Sequence, residues 1–202
     1  MEKNLAGIVS TAFNPLLITS YFFIVALNLP FHFSMIIPEK ARWMIIGLIF
    51  ITTFVIPALL ISIFSYSMKK IVKADEKEER YLPLAIATIF YFLTYYLLNQ
   101  VQLSPIFNIF NLGATSLLVI CLLITLAWKI SVFMAAMGAF FGAFLGLSVT
   151  LDIDITIILL VTILASGAIG FSRMLNKKHT PAQIYTGFLL GALTMFLHYL
   201  YF

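Results

Sequence analysis

Long apolar segments dominate this chain and constrain its fold more than any other feature. Seven of them approach the length of about 20 residues that a helix needs to cross a hydrocarbon layer. They cover residues 15–29, 43–65, 82–101, 106–128, 132–150, 155–171 and 181–202. Each run is continuous rather than alternating, which favours helices over a membrane β-barrel. The predicted fold is all-α, a polytopic membrane bundle of six or seven transmembrane helices, in which the first and sixth segments are short.

The composition supports lipid as the solvent of this chain. Hydrophobic residues make up 62% of it and charged residues only 10%, whereas a soluble domain carries about 25% charged residues. We therefore expect residues 1–202 to form one integral membrane domain. The lone cysteine, Cys121, lies in an apolar run and has no partner for an internal disulfide. No basic block is interleaved with aromatic residues, so nucleic acid is not an expected partner.

The distribution of cations predicts an orientation. If seven spans alternate, 10 of the 12 Lys and Arg residues fall on one side and Lys40 and Arg42 on the other. The positive-inside rule makes the richer side cytoplasmic. An anion site on that side would also attract cations, so part of this asymmetry has a second possible cause.

Small residues recur at four-residue spacing near the C-terminal end. Gly138, Gly142 and Gly146 form one such series, and Gly187 and Gly191 form another. Because small residues at this spacing let helix backbones approach closely in lipid, we expect these helices to pack tightly.

A polar cluster interrupts the apolar sequence at residues 172–187, SRMLNKKHTPAQIYTG. Thr180 is a suitable N-cap, Pro181 suits the first helical position, and Gln183 completes a capping box. His179 then lies just before a helix N-terminus, which favours anions. Arg173 adds a planar guanidinium suited to phosphate oxygens. The cluster predicts an anion site. The alternative interpretation is a plain interfacial histidine, with Lys177 and Lys178 in contact with lipid head groups.

The spacing of these residues resembles the type-2 phosphatidic acid phosphatase family, which shares its core with vanadium haloperoxidases. That family carries the motifs K-x6-R-P, P-S-G-H and S-R-x5-H-x3-D. Ser172, Arg173 and His179 match the third motif, while Lys73 and Arg80 match the first, with Tyr81 in place of its proline. The resemblance covers roughly residues 70–202 and is strongest to the bacterial branch, which implies a bacterial inner membrane.

The resemblance implies a lipid phosphohydrolase. We expect no cofactor and no metal, because the sequence contains no metal cluster, P-loop or dinucleotide fingerprint. His179 would attack phosphorus and form a phosphohistidine. Lys73, Arg80, Arg173 and the backbone near Ser131 would bind the phosphate oxygens. The implied partners are a lipid phosphate or pyrophosphate substrate and the membrane lipids. Lys77 competes with Lys73 for the lysine role, and the acidic residues around both are equally typical of a solvated loop.

Two further departures from the family pattern bear on the chemistry. Gln183 stands where the family has an aspartate that holds the nucleophilic histidine. Aligned on Ser131, the second motif reads ISVF, so Phe133 stands where the family has the histidine that protonates the leaving group. Three interpretations stay open: a slow or pyrophosphate-selective phosphatase, a lipid-phosphate-binding protein without turnover, and an otherwise active enzyme in which Phe133 is a natural or introduced substitution. A coupled transporter is disfavoured, because the predicted spans contain no Asp, Glu, Lys or Arg.

Overall fold

The computed structural model describes residues 13–29, 32–71, 78–101 and 103–201, and every regular element in these ranges is helical. The helices are α1 (Pro15–Asn28), α2 (His32–Met35), α3 (Glu39–Phe50), a π-helical segment (Ile51–Val55), α4 (Ile56–Ile71), α5 (Glu78–Gln100), α6 (Pro105–Ala127), α7 (Val132–Leu151), α8 (Thr156–Leu175) and α9 (Pro181–Tyr201). Within these ranges, six spans are long and apolar enough to cross a membrane, and α1 is a shorter apolar helix. The predicted all-α membrane bundle is confirmed.

Three spans extend by four or more residues beyond the apolar runs that predicted them: the second span, α5 and α8. The second span continues without interruption from α3 through the π-helical segment into α4. Helix α8 runs four residues past the predicted end at Phe171, which places Arg173 in its last turn. Polar residues can continue a helix as long as its backbone hydrogen bonds are made. The length of an apolar run can therefore underestimate the length of its helix. The chain leaves α8 at Lys177, which adopts a left-handed φ of 50°.

The chain forms two compact units. One comprises Met1–Ile18 together with Ala127–Phe202, and the other comprises Thr19–Leu126. We call the first the C-terminal unit, because it contains α7, α8 and α9, and we call the second the N-terminal unit.

Glycine contacts hold α7 and α9 at very short range in the C-terminal unit. A Cβ atom added to Gly191 would lie 1.9 Å from the carbonyl oxygen of Ala135, and one added to Gly142 would lie 2.2 Å from that of Ala192. A Cβ on Gly138 would meet the carbonyl oxygen of Phe188 at 2.0 Å. Backbone therefore packs directly on backbone along this pair, and the predicted tight packing is confirmed.

The same contacts give the helix directions. Gly187, early in α9, lies against Ser131 at the start of α7, and Gly146, late in α7, lies against Tyr199 near the end of α9. Helices α7 and α9 therefore run parallel. Helix α8 connects them and returns in the opposite direction, with Gly170 close to Met134 and Ile184. The end of α8 and the starts of α7 and α9 consequently lie at one end of the unit.

Buried aromatic rings form the core of the N-terminal unit. Phe22 stacks on Phe110 with ring centroids 3.8 Å apart, and Phe23 packs on Phe107 at 5.3 Å. These rings join α1 to α6. Since the interior of a lipid-embedded bundle gains little from excluding water, such close packing is a main source of helix association.

Hydrogen bonds between hydroxyl groups link α5 to the π-helical segment and to α1 in the same unit. Thr94 of α5 hydrogen-bonds Thr52 with 2.8 Å between their oxygens, and Thr19 of α1 donates to the Tyr91 hydroxyl at 3.1 Å. Thr53 Oγ1 donates to the carbonyl oxygen of Ile49 at 2.8 Å. Hydroxyls that bond locally or across helices satisfy polar groups at membrane depth.

Candidate functional site

The polar residues of the second and third motifs lie at the end of the C-terminal unit where α8 finishes and α7 and α9 begin. They are Ser131, Ser172, Arg173 and His179. A backbone bond joins two of these termini, because the Ser131 N–H donates to the Gln183 carbonyl oxygen at 3.3 Å. Gly187 completes this junction, since any side chain there would meet the Ser131 carbonyl oxygen at 2.7 Å. The helix starts are thus fixed relative to each other by main-chain contacts.

Helix α9 begins with the predicted capping box. The Gln183 N–H donates to Thr180 Oγ1 at 3.4 Å, and the Thr180 N–H donates to Gln183 Oε1 at 3.1 Å. Pro181 is the first residue of the helix, where its missing N–H costs nothing. The local sequence therefore fixes the direction in which α9 starts, and with it the position of the preceding His179.

His179 is held by the side chain that also caps the helix. Its Nδ1 lies 3.2 Å from Gln183 Oε1. Because Oε1 already accepts the Thr180 N–H, this atom is the amide oxygen and can only accept. Nδ1 of the neutral ring must then carry the proton, which leaves the lone pair on Nε2. The imidazole is half-buried, and its Nδ1 rather than its Nε2 faces Gln183.

Gln183 therefore makes the contacts that both of its predicted roles require. It caps α9, and its side-chain oxygen also contacts His179 Nδ1. A neutral amide fixes the tautomer as a carboxylate would, but it does not offer the negative charge that stabilises an imidazolium.

Arg173 stacks on Phe133 at the same end of the unit. The guanidinium carbon lies 3.9 Å from the centre of the Phe133 ring, well inside the range of a cation–π contact. Phe133 is in the first turn of α7 and Arg173 in the last turn of α8, where a cation also interacts favourably with the helix dipole. Both side chains are half-buried, whereas Ser172 beside Arg173 is buried.

Ser131 is the N-cap residue of α7, with an extended backbone at φ −86° and ψ 95°, and its side chain makes no capping bond. The residue is fully buried, and among the described residues no hydrogen-bond partner reaches its Oγ. A buried hydroxyl without a partner is uncommon and has an energetic cost. This hydroxyl and the N–H groups of the first turn of α7 are donors at the same end as Arg173.

The described contacts do not bring the remaining predicted residues to this site. Lys73 and Lys77 lie outside the described residues. Arg80 is in the first turn of α5, in the N-terminal unit, and its side chain is outside the described set. Lys129 is half-buried just before α7, and Lys178 is exposed after α8. The described contacts thus join His179 to the Gln183 side chain and Ser131 to the Gln183 backbone. A separate contact joins Arg173 to Phe133.

The Phe133–Arg173 stack is the site feature that sequence reasoning missed. The sequence presented Phe133 only as the loss of a proton donor. Forty positions separate the two residues, and no local pattern relates them. Their contact follows from the return of α8 along α7, which no motif encodes.

The other end of the C-terminal unit carries different polar residues. His198, near the end of α9, has Nδ1 2.8 Å from the Thr194 carbonyl oxygen, within its own helix. Asp152 and Asp154 lie in the turn between α7 and α8. Within the described ranges no group of three His, Cys, Asp or Glu residues is arranged to hold a metal ion.

Comparisons of the chain with models of protein families, with curated proteins and with solved structures gave no match.

Proposed function

We propose that this protein is a membrane-bound phosphohydrolase that removes phosphate from a lipid phosphate or pyrophosphate through His179. The observation that carries the proposal is the orientation of His179, whose Nδ1 is engaged by Gln183 Oε1 at 3.2 Å. Its Nε2 is then the nucleophile. The matching spacing of Ser172, Arg173 and His179 supports the resemblance to type-2 phosphatidic acid phosphatases.

The reaction follows from this arrangement. Nε2 of His179 forms a bond to phosphorus as the bond to the leaving oxygen breaks, and that oxygen leaves with the electron pair. Water then attacks the phosphohistidine, which releases inorganic phosphate and restores the imidazole. Arg173, the first turn of α7 and the N-terminus of α9 offer donors for the phosphate oxygens. Positioning and charge stabilisation supply most of the catalysis in phosphoryl transfer.

Phe133 limits the reaction to leaving groups that can depart without protonation by a general acid. It stands where the resemblance places a proton-donating histidine, and a phenyl ring has no proton to give. General acid catalysis contributes about 10²–10⁴ in rate. An alkoxide from a phosphomonoester needs that proton, while a phosphate leaving from a pyrophosphate is already a weak base. The proposal therefore favours a lipid pyrophosphate over phosphatidate, with slow turnover of the latter.

A second function is favoured by the same residue. The stack on Phe133 keeps Arg173 as a fixed anion-binding group without restoring the acid. A protein that binds a phospholipid or polyprenyl phosphate head group without turnover needs only this part of the site. We keep it as the alternative.

The location belongs to the proposal as well. The site is proposed to face the cytoplasm, because 10 of the 12 Lys and Arg residues fall on the motif side if all seven predicted segments cross the membrane. The resemblance to the bacterial branch suggests an inner membrane.

The test compares purified wild type with His179→Ala, Phe133→His and the control His198→Ala, whose histidine lies at the other end of the unit. Each variant is assayed on phosphatidate, phosphatidylglycerol phosphate and a polyprenyl pyrophosphate. We expect pyrophosphate hydrolysis in wild type and His198→Ala, none in His179→Ala, and a gain on phosphatidate of about 10²-fold or more in Phe133→His. An acid-labile phosphoprotein should form from labelled substrate and disappear in His179→Ala.

Each other outcome has a defined meaning. An inert wild type that binds phosphatidate vesicles, and loses this binding in His179→Ala, replaces the enzyme with the binding protein. Equal activity in His179→Ala and His198→Ala refutes the nucleophile assignment.

A further inference from the structure

The contact between Phe133 and Arg173 joins two helices at the candidate site. The guanidinium carbon is 3.9 Å from the ring centre, a distance at which the flat cation lies against the aromatic surface. One residue belongs to the first turn of α7 and the other to the last turn of α8. The contact is therefore tertiary and reports how the two helix ends are fixed together.

A stacked guanidinium remains able to bind an anion. Its N–H bonds lie in the plane of the group, so they point along its edges, while the ring occupies one of its faces. Stacking thus fixes the plane of the guanidinium without competing for its donors. An arginine that is not held in this way distributes over many rotamers and loses that freedom when a ligand binds. An aromatic ring that holds the guanidinium in one orientation lowers this entropic cost of binding, and it also attracts the cation.

The surroundings of the stack point to a phosphate group as the ligand. Ser131, two residues before Phe133, presents a buried hydroxyl for which no partner lies among the described residues. The N-terminus of α7 begins at the next residue, Val132. A guanidinium, a hydroxyl and helix N–H groups are the donors that a tetrahedral oxyanion takes.

We propose that Phe133 is a positioning residue, which holds the Arg173 guanidinium in the orientation that binds the phosphate of a lipid head group. This inference rests on the proposed function, since it concerns the same site, but it changes the role of the residue. Phe133 replaces a proton donor with a platform for a cation, so the site gains in phosphate affinity what it loses in leaving-group protonation. The preferred ligand is a dianionic phosphomonoester or a diphosphate at the end of a lipid.

The sharpest test varies the electronics of the ring with little change in its size. Phenylalanine at position 133 is replaced by its monofluoro, difluoro and trifluoro analogues, since each fluorine weakens the negative potential of the ring face. Binding of short-chain phosphatidate to the full chain in lipid nanodiscs is measured by calorimetry, with short-chain phosphatidylcholine as the neutral probe. We expect the affinity for phosphatidate to fall stepwise, by about 2-fold to 30-fold across the series, the range that cation–π contacts span.

Three conventional variants check the same idea. Phe133→Trp should retain or strengthen binding, because indole is the best cation–π platform. Phe133→Leu should weaken it at least as much as the trifluoro analogue. Arg173→Lys should bind weakly and should show no further dependence on the fluorine series, because the planar cation is gone.

The control applies the same fluorine series at Phe141 of α7, which packs on Phe188 away from the site with ring centroids 5.7 Å apart. This series should leave phosphatidate affinity unchanged. A flat response at position 133, or an equal response at positions 133 and 141, overturns the positioning role.

The outcomes separate this inference from the proposed function. A graded series at position 133 together with unchanged turnover and binding in His179→Ala supports the platform and refutes the histidine nucleophile. Loss of activity in His179→Ala with a flat fluorine series supports the enzyme and refutes the platform.

Discussion

Replacing Gly191 with alanine should disrupt the closest helix contact in the C-terminal unit. The new Cβ atom would lie 1.9 Å from the Ala135 carbonyl oxygen and 2.7 Å from the Ala139 nitrogen. An ordinary contact begins near 3.4 Å, so the backbones of α7 and α9 would have to separate by about 1.5 Å. Both clashing atoms belong to the main chain and have no rotamer to change. Overpacking typically costs about 1–3 kcal/mol, and we expect the upper end of that range.

The measurement is thermal unfolding of the purified protein in detergent, followed by circular dichroism. A loss of about 3 kcal/mol corresponds to a melting temperature lower by roughly 6–12 °C for a chain of this size. The matched control is Gly167→Ala in α8, since a Cβ there has nothing within 4 Å. We expect this control to be as stable as wild type. If Gly191→Ala melts together with Gly167→Ala, the close backbone packing described for α7 and α9 is wrong.

Three further predictions concern other parts of the fold. Asp152 ends α7 with a left-handed φ of 52°, so Asp152→Val should cost about 1 kcal/mol and Asp152→Gly should not, in the same unfolding assay. Thr94→Val removes the 2.8 Å bond to Thr52 and should cost about 0.6 kcal/mol, the average for such bonds in membranes. The backbone N–H of Thr156 bonds the exposed Asp154 carboxylate and lowers its pKa. The ionised Asp154 carboxylate therefore stabilises the fold above its unfolded pKa of about 3.9, and this stabilisation is lost as the pH falls through the lower folded pKa. In Asp154→Asn, the stability should depend less on pH between pH 5 and pH 2 than in wild type. An unchanged pH dependence would contradict this.

Local sequence was sufficient for the features that short-range chemistry controls. The order Thr180, Pro181, Gln183 predicted a capped helix start, because these side chains bond their own backbone within three residues. The four-residue spacing of the glycines predicted close helix packing, because that spacing places them on one face of a helix. The segments themselves followed from apolar length, with errors of a few residues at their ends, as at Phe171.

Longer-range contacts at the site could not be obtained in the same way. The stack of Arg173 on Phe133 and the bond from Ser131 to Gln183 depend on which helix faces meet. Many pairings of apolar helices are equally compatible with the composition. The second contact of Gln183 could not be predicted from the sequence either, since a capping residue also bonds His179 only if the imidazole turns toward it.

The sequence by itself determined that this protein is an all-α membrane protein, where its helices lie and how α9 begins. These properties arise from transfer of apolar residues into lipid and from hydrogen bonds between near neighbours, both of which are local in the chain. Only the tertiary structure decided which helices touch, that α7 and α9 share a backbone interface, and that a phenyl ring carries the Arg173 guanidinium. In lipid, hydrophobicity does not select among helix pairs, so the fit of one surface against another makes that choice.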